Sequence, residues 1–159
     1  MKKISIVTLV IIILFVLAST TIADNGRSFK ADLTGAEEVP PLETDTTGRA
    51  HFVVNSGETE IKYKLDIKNA EAILGAAGAH IHCAPTGVNG PVVAFLAGSV
   101  SGGFDGQVGI EATLTSANIV NNACGATIAE LVQSMRDGNT YVNVHSVANP
   151  GGEVRGQIH

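Results

Sequence analysis

The chain has 159 residues, a formal charge of −5, two tyrosines, five phenylalanines and no tryptophan. An acidic chain with scattered charges argues against nucleic acid as a partner, and so few rings argue against stacking on bases or sugars. The length suits one domain whose core is mostly Val, Ile, Leu and Ala.

Lys2 and Lys3 open the chain with positive charge. Ile4 to Leu17 is an apolar run broken only by Ser5 and Thr8, and Thr21 and Ala23 hold the small positions before a cleavage site. This predicts a secretory signal peptide over residues 1–23 and one domain over 24–159. The rival is a retained anchor, but the apolar run is shorter than the ~20 residues of a span. No later segment is apolar for long enough. Loss of the two lysines takes the formal charge from −5 to −7. The expected location is secreted, or at least extracytoplasmic.

Beyond the signal, the chain reads mainly as strands. Phe29, Ala31 and Leu33 alternate with Lys30 and Asp32. "GAEEVPPLETDTTG", Gly35 to Gly48, is a long acidic connection stiffened by Pro40-Pro41. Ala50, Phe52 and Val54 mark a second strand. Ile61, Tyr63, Leu65 and Ile67, alternating with Lys62, Lys64, Asp66 and Lys68, mark the clearest period-two run.

"AHIHC" follows, then "TGVNG" and Val92 to Leu96, an unbroken apolar run that predicts a buried strand. Val108, Ile110, Ala112 and Leu114 alternate with outward Glu111 and Thr113. Thr127 and Glu130 form a capping box, and Ile128, Leu131, Val132 and Met135 make one apolar stripe. A helix is therefore expected over about 127–137, stripe inward. "YVNVHSV" and "GEVRGQI", joined by "ANPGG", predict a closing hairpin. Seven or eight short strands and one helix predict an all-β, antiparallel, immunoglobulin-like sandwich or barrel.

The two cysteines of a secreted domain are most simply one disulfide, Cys83–Cys124. Closing a loop of ~40 residues stabilises a fold by roughly 4 kcal/mol in the chain-entropy model. The competing reading makes Cys83 a thiolate ligand to copper. Strand alternation opposes it, because His80 and His82 share one face while Ile81 and Cys83 point the other way.

H-x-H on a strand lets two imidazoles reach one ion, and a third from a neighbouring strand completes a common ligand set with an open position. His145, on a face with Tyr141 and Asn143, is the candidate, so the implied cofactor is copper or zinc. His51 and His159 are weaker candidates. The alternative is that His80 and His82 hydrogen-bond to order the following glycine loop, with His145 bonding across to them. Both readings stand on sequence.

Glu153, Arg155 and Gln157 line one side of the last strand, opposite Val154 and Ile158. Arg155 is expected to meet a carboxylate such as Glu37 or Glu38. No acid–base pair is recognisable, no serine lies in a G-x-S-x-G elbow, and "GVNGPV" lacks the G-K-[ST] ending of a phosphate loop.

"LTGAEEVPPLETDTTGRAHF", "AHIHCAPTGVNGPVVAFL" and "GNTYVNVHSVANPGGEVRGQI" together resemble the chordin-type (CHRD) domain, over roughly Phe29 to Ile158. His80 and His82 match its H-I-H block, Asn89, Gly90, Pro91 and Val92 its N-G-P-V. Tyr141 to His145, with Asn143 central, match its Y-V-N-V-H, and Gly152, Glu153, Arg155, Gly156 and Gln157 its G-E-[IV]-R-G-Q.

The resemblance implies an immunoglobulin-like sandwich or barrel. In chordin the context is extracellular binding of growth factors, but this chain lacks the accompanying cysteine-rich modules, so that role does not carry over. "CAP" at Cys83 to Pro85 departs from members with glycine or a polar residue there, and Cys124 lies in the family's most variable stretch. Both fit a subfamily disulfide. A local likeness to Cu/Zn superoxide dismutase covers only a few residues.

The leading expectation is a secreted, non-enzymatic β-sandwich that binds an extracellular protein or an envelope component. The alternative is a secreted copper or zinc protein using His80, His82 and His145, with redox activity open to it.

Overall fold

The computed structural model describes residues 26–159. The predicted signal peptide lies outside the described residues.

Eight strands form one antiparallel sheet: β1 (Ser28–Thr34), β2 (Thr47–Val54), β3 (Glu60–Ile73), β4 (Ala79–Cys83), β5 (Val92–Ala97), β6 (Phe104–Thr115), β7 (Thr140–Val144) and β8 (Val154–Gln157). Their order is β5-β4-β7-β8-β1-β2-β3-β6, and the sheet curls into a nearly closed barrel. The expected all-β class is therefore present, and β7 and β8 form the expected hairpin.

Alternation builds the interior. Ile61, Tyr63, Leu65 and Ile67 of β3 are buried, while Lys62 and Lys64 face water. Ala31 and Leu33 of β1, Ala50 and Phe52 of β2, Ile81 of β4, Val142 and Val144 of β7 and Val154 of β8 join the same core.

The edge strands depart from expectation. Val92 to Leu96 is not buried throughout, because β5 is an edge and Phe95, on the outer face, is 48% exposed. Within β6, the other edge, only Leu114 is buried.

The helix α1 (Ile128–Arg136) has the expected capping box between Thr127 and Glu130. Ile128, Leu131, Val132 and Met135 enter the barrel core. Cys83 and Cys124 are bonded, with Cα atoms 5.6 Å apart, tying the end of β4 to the 3-10 turn Asn122–Cys124 ahead of α1. The thiolate-ligand reading of Cys83 is thereby excluded. Among the described residues, no helix is long and apolar enough to cross a membrane.

Candidate metal centre

Strand register assembles the site. His80 and His82 of β4 lie opposite Asn143 and Tyr141 of β7. Asn143 and Tyr141 lie opposite Arg155 and Gln157 of β8. Paired residues share a face, so all six side chains stand on the outer face of the barrel wall. Yet His80, His82, Tyr141, Asn143 and Arg155 are buried. The fold thus carries a polar layer outside its apolar core.

Three loops cover this layer, and each comes from one of the sequence blocks quoted above. From residues 84–91, the Arg155 guanidinium receives the Asn89 Oδ1 and Val88 carbonyl as acceptors, at 3.0 and 2.8 Å. Asn89 Nδ2 donates in turn to the Val39 carbonyl of the acidic loop, at 2.9 Å. Gln157 Nε2 donates to the carbonyls of Ala84 and Gly138. Gly90 must lack a side chain, since a Cβ there would lie 1.9 Å from the Cys83 carbonyl oxygen.

Arg155 does not pair with a carboxylate, contrary to expectation. It bonds to the glycine loop instead, and its guanidinium stacks 3.5 Å above the centre of the Tyr141 ring. That ring stacks in turn on His82, with centroids 4.8 Å apart.

Glu38, a loop residue, is turned inward and accepts a hydrogen bond from Asn143 Nδ2 at 3.3 Å. Burial raises its carboxyl to about 7, against the opposing pull of Arg155 and the Asn143 bond. Burial also pushes Glu153 upward, but hydrogen bonds from Thr44, Asn149 and Ser146 outweigh it, so Glu153 stays below the usual carboxylate range. Glu153 thereby holds the turn that carries His145.

His145, the first residue past β7, turns its ring into this layer. His80 Nδ1 and His145 Nε2 are 3.1 Å apart. His145 Nδ1 lies 3.0 Å from the Pro150 carbonyl, and His82 Nδ1 lies 2.9 Å from the Gly90 carbonyl. A carbonyl only accepts, so these Nδ1 atoms carry the hydrogens and each Nε2 is an acceptor, that of His145 facing His80 Nδ1. His82 Nε2 is buried without any partner.

The hydrogen bonds of the structural reading are thus present: His82 orders the glycine loop and His145 meets His80. The convergence of the metal reading is present too. One ring nitrogen from each of His80, His82 and His145 lies within 4.8 Å of the others. Three such atoms leave a point no more than about 2.8 Å from all of them, against the ~2.0–2.1 Å of a zinc–imidazole bond. Closing that gap takes less than about 1 Å of ring movement.

Backbone carbonyls on the far nitrogens of His82 and His145 are the outer-shell partners that fix metal-binding tautomers. Burial lowers all three rings, His80 to about 4 with help from His145 and His82, so each is neutral and able to ligate at neutral pH. His51 lies apart, exposed on β2 beside Ser28, and His159 is exposed at the C-terminus. Neither joins the cluster.

Residues 29–158 match the family model of the CHRD domain. The chain belongs to the CHRD family. No curated protein matches it in sequence. The segments that carry the resemblance in sequence are those that build the polar layer and its loop cover of this CHRD domain. Asn89, Gly90, Asn143, Glu153, Arg155 and Gln157 lie in that layer or its cover. Pro91, from the same block, accepts the Cys83 N–H through its carbonyl.

Sequence reasoning did not find the burial of Glu38 or the edge-to-face contact of Phe95 with His80, at 4.6 Å between centroids. Both arise from pairing across strands, which spacing within one strand does not encode.

Proposed function

We propose that this CHRD domain is a secreted, non-enzymatic module that binds one copper or zinc ion between His80, His82 and His145. The carrying observation is His82 Nε2, a buried nitrogen with no protein partner, on a ring that clusters with two other imidazoles. A buried acceptor left without a partner costs about 1–3 kcal/mol, and an ion in its place removes that cost. Secretion is supported by the disulfide, which persists in oxidising compartments, and by the signal-like N-terminus.

The non-enzymatic assignment is supported by the immediate neighbours of the rings. These include Phe95, the face of the Tyr141 ring, whose hydroxyl is turned to Gly90, and the carbonyls of Gly90 and Pro150. The partner presented with this site is an extracellular protein or an envelope component.

Elemental analysis and a copper or zinc titration of the purified, disulfide-bonded protein test the metal assignment. One ion per chain is expected. Absence of binding at micromolar metal, or equal binding by His80→Ala and His145→Ala, removes it. Mass spectrometry of the exported protein should find Asp24 at the N-terminus. The copper-loaded protein should dismutate superoxide no faster than its apo form.

A further inference from the structure

We infer that the three-histidine site selects monovalent over divalent ions, so that its occupant is cuprous copper. This rests on the metal reading above and follows from a count of charge. Among the described residues, His80, His82 and His145 form the cluster without a carboxylate or thiolate. Both cysteines are held in the disulfide. A neutral imidazole brings no negative charge. The complex therefore keeps the full charge of its ion, and all three rings are buried.

The charged group stacked next to the site is positive. Arg155 lies 3.5 Å over Tyr141, and Tyr141 lies 4.8 Å from His82 with only 15° between the ring planes. This cation–ring–ring stack sets a guanidinium one layer from a ligand. Two acids belong to this layer: Glu153 is taken up by Thr44, Ser146 and Asn149, and Glu38 is hydrogen-bonded to Asn143, so neither is bonded to a ring. Burial keeps the Glu38 carboxyl partly protonated at neutral pH.

The cost of burying an ion grows as the square of its charge, so a monovalent centre carries roughly a quarter of the divalent cost. A divalent ion on three neutral ligands would recruit hydroxide or another anion, which needs space and solvent. The apolar ring of Phe95 packs edge-to-face with His80, centroids 4.6 Å apart. Cuprous copper, with a filled d shell, accepts three nitrogens and no fourth ligand, and imidazole suits copper.

Chelator competition separates the ions. Cu(I) is titrated anaerobically under ascorbate against a cuprous-specific chromophoric chelator, and Zn(II) against a zinc chelator. Cu(I) is expected to bind at least 100-fold more tightly, and copper added as Cu(II) with ascorbate should remain cuprous when bound. A zinc affinity within 100-fold of the copper affinity, or copper that reoxidises on the protein in air as fast as free copper, overturns the inference.

Asn143→Asp places a carboxylate opposite His80 in the β4–β7 register. It should narrow the Cu(I)-to-Zn(II) ratio tenfold or more, and an unchanged ratio refutes the charge argument. The wild-type ratio decides the question even where this variant does not fold. Failure of both ions to bind removes the metal reading itself, an outcome distinct from binding without selection.

Discussion

His80 Nδ1 stands 3.1 Å from His145 Nε2, so a side chain of β4 meets one that lies 65 residues later, just past β7. With His145 Nδ1 committed to the Pro150 carbonyl, His80 donates this bond in the metal-free protein. Replacing either ring leaves two ligands. His80→Ala or His145→Ala should weaken metal binding at least 100-fold while the far-ultraviolet circular dichroism keeps its β signature. Retained affinity in either variant would assign the pair a purely structural role.

Acid should destabilise the metal-free fold. Burial, with His145 and His82 nearby, pushes His80 from 6.5 to about 4, and burial lowers His82 and His145 in the same sense. Between those pH values the unfolded chain takes up protons that the native rings refuse. The stability from these rings is full above about pH 6.5 and is lost on acidification, the share of His80 as pH falls toward 4.

Glu38 runs the other way. Raised from 4.5 to about 7, it contributes fully below about pH 4.5 and loses that contribution as pH rises through 7. Three rings outweigh one carboxyl, so the urea midpoint should fall from pH 7 to pH 5. Glu38→Gln removes the opposing titration and should steepen the fall. A midpoint that rises on acidification contradicts this balance.

Gly90→Ala should act on both fold and site. The new Cβ would meet the Cys83 carbonyl oxygen at 1.9 Å, a backbone atom that cannot swing aside. Overpacking of this kind costs about 1–3 kcal/mol. It also displaces the carbonyl that orients His82, so metal affinity should drop with stability. Gly87→Ala is the control, since a Cβ there meets nothing within 4 Å. Its φ of +75° adds only backbone strain of about 1 kcal/mol, and metal affinity should not change. Equal effects of the two substitutions on affinity would sever Gly90 from the site.

The disulfide spans 41 residues and should contribute about 4 kcal/mol in the chain-entropy model. A thiol assay on denatured, unreduced protein should detect no free thiol. The double variant Cys83→Ser, Cys124→Ser should lower the unfolding free energy by an amount of that order, read from urea curves. Two titratable thiols, or a double variant as stable as the parent, would be incompatible with the bond.

Much of this fold is legible because its strands alternate cleanly. Ile61 to Ile67 declare their inward face, and Thr127 with Glu130 declares the start of α1. Alternation also places His80 and His82 opposite Ile81 and Cys83, which separates the disulfide from the histidines.

What spacing could not supply is register between distant strands. Asn143 opposite both His80 and Arg155 is a fact of pairing, and it decides that the outer face is roofed by loops instead of wetted. Glu38 sits in a loop without period, so its inward turn leaves no pattern. Arg155 found an amide, a carbonyl and a ring where sequence suggested an acid, since its own strand says nothing about the loop that crosses it.

The outer polar layer also governs how such a domain can change over time. Inside the barrel, Leu, Ile and Val can be exchanged singly when volume is kept, because dispersion contacts do not ask for a particular partner. In the layer each group answers another: Asn89 serves both Val39 and Arg155, Arg155 serves Tyr141, and Tyr141 serves His82. Removing one member leaves the rest buried without their partner. Lineages of this domain should therefore inherit or discard the layer whole, while their interiors drift residue by residue.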